Sequence, residues 1–290
     1  MFPPRTRLTL QIALSSICLL WVFFSLRSID WRMSLIYLGN LSMNKLAACF
    51  LMGALLYTTR LFRLHYWVET LSSEKLTTAE WIDLYLKSVA LGSLTPARLG
   101  DFSRIALLAR TGLSIAVRTK VTFQDKMADV LYIPIGLCLT SGIVGEKLSI
   151  PARWIFAGGI VSLIAYLLLS YWFGRFIGPK GLSVGWAVTI GGLCFFILTN
   201  TFLFWSAGID LRIVEVAAIT LSVGIIVSLP ISVGGMGVRE GSLICLLRLW
   251  GIQPEAIPPV LLLEFILNIV FPVVLFICWS VCMNIKKVIA

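Results

Sequence analysis

The stretch SLPISVGGMGVRE, residues 228–240, decides how this chain folds, because it interrupts an apolar run that would otherwise continue as a membrane helix. Proline removes a helix hydrogen bond, and glycine loosens a helical backbone. A charged side chain deep in a bilayer costs several kcal/mol by most scales. The stretch combines a proline, three glycines and a charged pair, namely Pro230, Gly234, Gly235, Gly237, Arg239 and Glu240. It therefore predicts a broken helix and marks a candidate functional element.

The composition around this stretch is that of an integral membrane protein. Of the 290 residues, 59% are hydrophobic and 13% are charged, against about 25% charged residues in soluble domains. The net charge of +10 comes from basic residues that mostly flank apolar runs, as the positive-inside rule describes. We therefore expect a membrane lipid with an anionic head group as the partner, and no nucleic acid.

Cysteine and histidine usage excludes several kinds of catalytic or metal site. The seven cysteines are scattered through apolar runs without paired metal spacing, which favours buried hydrophobes over ligands. His65 is the one histidine, so the usual zinc sites and a Ser-His-Asp triad are excluded. The glycines around Gly237 lack the lysine of a nucleotide-binding loop. No metal and no cofactor are expected.

Hydropathy predicts an all-α polytopic membrane protein, with one integral membrane domain over residues 1–290. A helix of about 20 apolar residues crosses a bilayer. About six full spans are expected, at residues 8–26, 45–62, 121–144, 153–173, 184–207 and 260–282. Two broken, re-entrant hairpins are expected at 93–104 and 228–240. Arg60 and Arg63 are placed in or near the loop after the second span, and the basic bias puts both termini in the cytoplasm.

An internal repeat is indicated when the chain is shifted against itself by about 140 residues. Residues 45–144 then fall on 185–283, and each copy is a span, a broken hairpin, a short helix and a span with a polar start. Gly112 falls next to Gly251. If the number of crossings is right, the copies have opposite orientation, as in many transporters. Chance similarity is the alternative, because membrane helices are rich in proline and glycine.

Three motifs resemble the lysylphosphatidylglycerol synthase transmembrane region, a flippase-like membrane protein family. They are TPARLGDFSR at 95–104, the helix start DKMAD at 125–129 and PISVGGMGVRE at 230–240. The matching positions are Thr95, Pro96, Arg98, Gly100, Asp101, Arg104, Asp125, Lys126, Asp129, Pro230, Ser232, Gly234, Gly235, Gly237, Arg239 and Glu240. Two positions depart from the family pattern: Lys126 replaces the usual arginine, and Glu264 with Phe265 replaces an aromatic-arginine pair. The soluble transferase domain of some relatives is not expected after the last span.

The resemblance implies a lipid translocase of a prokaryotic inner membrane, not an enzyme. It would move a phosphate-bearing phospholipid or lipid-linked intermediate between leaflets. Arg98 and Arg104 would receive the phosphate near the cytoplasmic side of the protein, and Arg239 would receive it at the opposite hairpin. Guanidinium suits this role because it binds phosphate bidentately. Backbone N–H groups at the motif glycines would approach the phosphate. The carboxylates of the three motifs would pair with the arginines when no lipid is bound, and these are Asp101, Asp125, Asp129 and Glu240.

Other interpretations remain open from the residues. Each arginine could be an interface anchor, and Asp125 with Asp129 could form a structural ion pair with Lys126 or with a neighbouring helix. Glu264, a glutamate in a membrane helix, is a candidate proton site. A membrane transferase with Asp101 or Glu240 as general base is a second function. A non-transporting partner of a lipid-linked glycan or aminoacyl-lipid pathway enzyme is a third, and a homo-oligomer is compatible with all three.

Overall fold

The structure, a computed structural model, describes residues 30–72, 75–95, 100–228 and 237–289, and these contain helices and no strand. The α-helices are α1 Trp31–Gly39, α2 Met43–Glu69, α3 Thr78–Leu94, α4 Ser103–Leu107, α5 Ile115–Val130, α6 Tyr132–Leu148, α7 Ala152–Gly174, α8 Pro179–Ser206, α9 Ile213–Ser228, α10 Val238–Leu249, α11 Ile257–Phe265 and α12 Phe271–Ile289. Short 3-10 turns include 100–102, Leu108–Thr111 and Pro254–Ala256, and Ile266–Val270 is a π-helical segment. The predicted all-α class is confirmed.

Five helical runs in the described residues are long and apolar enough to cross a membrane. They are Met43–Glu69, Ile115–Lys147, Ala152–Gly174, Pro179–Ser206 and Pro254–Met283. Each overlaps one of the spans predicted from hydropathy, and each exceeds the roughly 20 residues that a bilayer requires. The predicted first span, 8–26, lies outside the described residues. The chain is therefore a polytopic membrane protein.

The end of the second span was predicted wrongly. Helix α2 continues to Glu69, so Arg60 and Arg63 lie inside it and not in or near the following loop. The side chain of Arg63 is only 1% exposed. The prediction failed because a charge was taken to end the span, whereas a buried arginine can stay in a helix when carboxylates from other helices pair with it.

Helices α3 and α9 are both short. They have 17 and 16 residues, each less than the length that spans a bilayer. Among the described residues, each is followed further along the chain by a short helical stretch, by a glycine in the left-handed region, Gly112 with φ 68° or Gly251 with φ 76°, and by a long helical run. The repeat of 45–144 in 185–283 and the opposite orientation of its copies stay predictions.

The chain falls into two compact units. The first takes its described residues from Met1–Gly53, Tyr132–Ala165 and Cys194–Glu264. In it, α6 packs along α9, and Gly136 lies against Leu221. The second takes them from Ala54–Leu131, Tyr166–Leu193 and Phe265–Ala290.

The core of the second unit is built around large aromatic side chains. Helix α12 packs on α3, and the buried cluster includes Leu64, Trp67, Trp81, Tyr85 and Leu108. Helix α3 is started by Thr77, whose N–H donates to Glu80 Oε2 over 2.8 Å while its Oγ1 accepts from the Glu80 N–H. This capping box fixes where α3 begins.

A close approach of α2 and α8 depends on glycine at position 185. Trp67 is fully buried, and its Nε1 donates to Gly181 O over 2.8 Å. A Cβ at Gly185 would lie 2.6 Å from Cε2 and 2.7 Å from Nε1 of the same ring. Any side chain there would push Trp67 away from its acceptor.

We expect Gly185→Ala to destabilise the protein by about 1–3 kcal/mol, the usual cost of overpacking a close-packed site. Gly191→Ala is the matched control, because it lies on the same helix and a Cβ there meets nothing within 4 Å. Thermal melting in detergent, followed by tryptophan fluorescence, measures both. Equal midpoints for the two variants would contradict the close approach.

Candidate functional site

The centre of the candidate site is an ion pair between Arg63 of α2 and Asp125 of α5, both residues of the second unit. Arg63 donates to Asp125 Oδ1 from Nε over 2.9 Å and from Nη2 over 2.7 Å. Its Nη2 also lies 3.0 Å from the Asp125 carbonyl oxygen. Both side chains are 1% exposed. The planar fork of guanidinium suits this bidentate geometry, which an ammonium could not reproduce.

The remaining donors of Arg63 reach two further side chains. Nη1 donates to Thr189 Oγ1 of α8 over 2.9 Å, and Nη2 donates to Asp129 Oδ1 over 2.9 Å. Asp125 and Asp129 are one helical turn apart on α5, so they share a face. All three guanidinium nitrogens therefore have acceptors, which is the condition under which a buried cation is tolerated.

A second buried arginine completes the pairing of Asp125. Arg104, on α4, donates from Nη1 to Asp125 Oδ2 and from Nε to Ser88 Oγ over 2.9 Å. Its guanidinium carbon lies 5.1 Å from the centre of the Tyr85 ring, within the range of a cation–π contact. Burial lowers the pKa of Arg104, but Asp125, Tyr85, Asp101 and Asp129 together raise it by more, so the pKa stands above its usual value. Arg104 is therefore a permanent cation.

Asp101 brings the first predicted hairpin to the same place. It is 4% exposed, accepts from Lys126 Nζ and lies 4.0 Å from Arg104 Nη2. Its carboxylate sits against Gly92 of α3, where a Cβ would collide with it. Lys126 thus pairs with Asp101, and not with the aspartates on its own helix.

The backbone of this hairpin is closed by Thr95 and Gly100. Thr95 Oγ1 donates to Leu91 O over 2.8 Å and accepts from the Gly100 N–H over 2.6 Å. A Cβ at Gly100 would collide with the Leu91 carbonyl group and would lie 2.7 Å from Gly92 N. In this structure Thr95 accepts from the Gly100 N–H, and glycine is needed here for close packing. Contact of this segment with phosphate stays a prediction.

The cluster borders a small polar cavity. Arg60 Nε lies 3.5 Å from Asp129 Oδ1. The space in it that a water-sized sphere can enter is about 20 Å³, enough for about one water molecule. Its walls are formed by Tyr57, Arg60, Tyr85, Val89, Gly92, Ser93, Asp101, Arg104, Asp125, Lys126 and Asp129. Every one of these residues belongs to the second unit.

The described side chains of this cluster carry both signs of charge. Four are cationic and three are carboxylates: Arg60, Arg63, Arg104, Lys126, Asp101, Asp125 and Asp129. Among the described residues, no group of three His, Cys, Asp or Glu side chains could hold a metal ion. Cationic side chains beside a polar cavity are suited to contact with an anion.

The residues of the second predicted hairpin are only partly described. Ser232, Gly234 and Gly235 lie outside the described residues, as does Arg98 of the first hairpin. Gly237, with φ 78°, precedes α10, and its N–H donates to Glu240 Oε2 over 2.7 Å. Arg239 is half-buried in the first turn of α10. Glu240 therefore caps its own helix, a stabilising place for a carboxylate.

Glu264, the candidate proton site, lies in the first unit near the end of α11. The π-helical segment Ile266–Val270 begins two residues after it. Such segments are rare, and they occur often at functional sites.

Sequence reasoning did not assign Arg60 and Arg63 to the site. A signal for them existed, because ionisable residues within an apolar helix usually face protein or water. Their spacing of three residues also puts them on one helical face.

The family comparison agrees with the three motifs. The model of the lysylphosphatidylglycerol synthase TM region matches residues 8–179 and 170–275. The chain belongs to this family. Comparison with curated proteins gives no match. The first segment of the family match includes Arg60, Arg63 and the aspartates of the cluster.

We expect Arg63→Gln to destabilise the protein by about 3–5 kcal/mol, the usual cost of removing one partner from a buried ion pair. Arg63→Lys should also be destabilised, because one ammonium cannot reach Asp125, Asp129 and Thr189 together. Unfolding in detergent micelles, followed by tryptophan fluorescence, measures these changes.

Lys87→Gln is the control for this series. Lys87 forms a partly exposed pair with Asp83 on α3 over 2.6 Å, and such pairs contribute at most about 1 kcal/mol. An Arg63→Gln variant as stable as Lys87→Gln would show that the buried pair does not hold the fold.

Proposed function

We propose that this chain is a lipid translocase that moves a phosphate-bearing phospholipid or lipid-linked intermediate between the leaflets of a prokaryotic inner membrane. Both termini would lie in the cytoplasm, and the chain would not act as an enzyme. The observation that carries this proposal is the buried charged cluster, in which Arg60, Arg104 and Lys126 border a small polar cavity. Its setting in a family of membrane proteins with several apolar helices supports a lipid-related role.

A phosphate head group that crosses a bilayer needs a path on which its charge stays compensated, because an isolated charge in hydrocarbon is costly. Cations held by carboxylates can offer such a path. When phosphate arrives it takes the place of a carboxylate, and when it leaves the carboxylate returns. In neither state is a charge left without a partner.

The second hairpin has a corresponding role in this proposal. Inverted repeats with broken helices put two half-sites at the middle of a membrane. Arg239 would receive the head group on the side opposite to the cluster. Glu264, next to a π-helical segment, would be the proton site if translocation is coupled to a proton gradient.

Transport is tested by reconstituting the purified protein in liposomes with a fluorescent phospholipid and measuring how fast the label becomes accessible from the other leaflet. We expect the wild-type protein to accelerate this exchange. Lys126→Gln and Arg239→Gln should each slow it about tenfold, because each removes a charge-assisted contact to phosphate. Lys87→Gln should not slow it.

The same liposomes separate the alternatives. A covalently altered lipid on a thin-layer plate would support a transferase instead. No exchange and no altered lipid, with function lost in cells that carry Arg239→Gln, would favour a non-transporting partner of a pathway enzyme.

Opposite entry of the two hairpins has its own test. Single cysteines at positions 98 and 239, in a background without the seven native cysteines, should react with a membrane-impermeant maleimide from opposite sides of the membrane. A cysteine in the N-terminal segment 1–7 gives the cytoplasmic reference. Labelling of both hairpins from the same side would rule out the inverted arrangement.

A further inference from the structure

The connection between α7 and α8 marks one surface of the membrane. The two spans, Ala152–Gly174 and Pro179–Ser206, follow each other in the chain and are separated by residues 175–178. A connection of this length reaches at most about 18 Å, which is too short to cross a hydrocarbon core of about 30 Å. The end of α7 and the start of α8 therefore lie at the same membrane surface.

Basic and aromatic side chains of α5, of the end of α7 and of the connection meet at this surface. The Nζ atom of Lys120 lies 5.8 Å from the centre of the Phe176 ring, within the range of a cation–π contact. The rings of Phe123 and Phe173 lie 5.1 Å apart. Arg175 is the first residue after α7, and it is exposed, as is Lys120. We call these five residues the belt.

Two further aromatic side chains show the level of the belt. Tyr171 and Trp172, in the last turn of α7, are 59% and 58% exposed. Tyrosine and tryptophan are enriched where the hydrocarbon core meets the head groups. Because Arg175 follows these rings and Lys120 contacts the ring of Phe176, both cations lie among the head groups.

We infer that the belt binds the anionic head groups of membrane lipids, and that the charged cluster lies in the same half of the bilayer as the belt. The belt carries two cations and no carboxylate, so it attracts an anionic membrane surface. Phe123 and Phe173, which are 38% and 36% exposed, add apolar surface for the adjoining acyl chains. With the proposed function, on which this step rests, the position of the cluster identifies the leaflet whose lipids reach it.

The position of the cluster follows first from α5. Asp125 comes five residues after Lys120 in this helix. An α-helix rises about 1.5 Å per residue, so Asp125 lies at most about 8 Å deeper in the membrane than Lys120. Half of the hydrocarbon core is about 15 Å thick. Asp125 therefore lies between the head groups and the centre of the bilayer.

Two other contacts give the same level. Trp67 Nε1 donates to Gly181 O, at the start of α8, and Arg63 comes one turn before Trp67 in α2. Gln124 Nε2 donates to Ser170 Oγ over 2.7 Å, and Ser170 comes one turn before the end of α7. Arg63 and Gln124 therefore each lie within about 10 Å of the end of a span.

Head-group binding is measured with a fluorescent probe beside the belt. The probe is attached to Leu169→Cys, in a chain without the seven native cysteines. Leu169 is 48% exposed and comes one turn before Phe173 in α7. The protein is reconstituted in phosphatidylcholine liposomes that contain brominated phosphatidylglycerol or brominated phosphatidylcholine. Quenching of the probe by each brominated lipid gives the relative binding of the two lipids at the belt.

Each cation near the membrane surface favours an anionic lipid about fivefold, so phosphatidylglycerol should be preferred about twentyfold over phosphatidylcholine. The double variant Lys120→Gln/Arg175→Gln should bind the two lipids equally, whereas Lys120→Arg/Arg175→Lys should keep the preference. Lys87→Gln should also keep it, because the charge of Lys87 is paired with Asp83. No preference with the native belt, or an unchanged preference in the double Gln variant, would overturn head-group binding.

A second probe position tests whether the effect is local. Val161 is 66% exposed and lies about 20 Å from Arg175 along the helix. The double Gln variant should leave the quenching ratio at Val161→Cys unchanged. An equal change at both probe positions would mean that the belt is not the binding surface.

The depth of the cluster is measured with single nitroxide labels on α5. Lys120, Phe123 and Val130 are exposed, and the last two precede and follow the cluster residues Asp125 and Lys126 in the chain. The accessibility of each label to oxygen and to a water-soluble nickel complex gives its depth in liposomes. The label at 120 should lie among the head groups, with those at 123 and 130 at most about 5 Å and 15 Å deeper. A label at 123 that lies nearer the bilayer centre than the label at 130 would overturn the position of the cluster.

Both measurements are independent of transport. The expected lipid preference and depths, without lipid exchange in liposomes, would refute the translocase only. Lipid exchange by a protein whose belt shows no preference would refute this inference only.

Discussion

The structure of the second unit depends on Asp125, whose two carboxylate oxygens are held by two different arginines. Arg63 binds Oδ1 and Arg104 binds Oδ2. Since all three side chains are buried, separating any of them would expose a charge to a medium that cannot solvate it. This one carboxylate therefore connects α2, α4 and α5, and Thr189 extends the network to α8. The apolar packing of these helices buries surface area, whereas the ion pairs determine which helix faces contact each other.

Two glycines make this arrangement possible, because without a side chain they let a carboxylate and a neighbouring backbone segment come close to the helix. Gly92 leaves room for the Asp101 carboxylate, and Gly100 lets its own segment pass against the Leu91 carbonyl group. In a membrane protein the hydrophobic effect does not distinguish one helix face from another, so small residues and polar contacts determine the interfaces. The hairpin glycine at position 100 is thus better explained by packing than by anion binding. Both explanations predict a glycine, and only the contacts distinguish them.

The features that depend on short stretches of sequence could be predicted. The contacts between residues far apart in the sequence could not. Apolar length alone located the five described spans. The residues Asp101, Arg104, Asp125, Lys126 and Asp129, which match the family motifs, meet in one cluster. Arg63 was missed because its partner is 62 residues away along the chain. A charge near the expected end of a span resembles a loop residue until that partner is known. Thr189 was missed for a simpler reason: hydroxyl residues are common in membrane helices, where they bond to their own backbone.

The division of the charged cluster into buried and more exposed side chains separates two requirements that usually conflict. A fold needs charges that stay paired, and a binding site needs charges that can change partners. If the same arginines served both, each binding event would weaken the fold by the cost of breaking a buried pair. Here the pairs among Arg63, Arg104 and Asp125 are sealed from solvent, whereas Arg60, Lys126 and Asp129 keep access to the cavity. The side chains of Arg60 and Lys126 retain contact with solvent, which screens charge far better than the interior does. Changes at these two positions should therefore disturb the fold less than changes within the buried pairs that keep α2, α4 and α5 together.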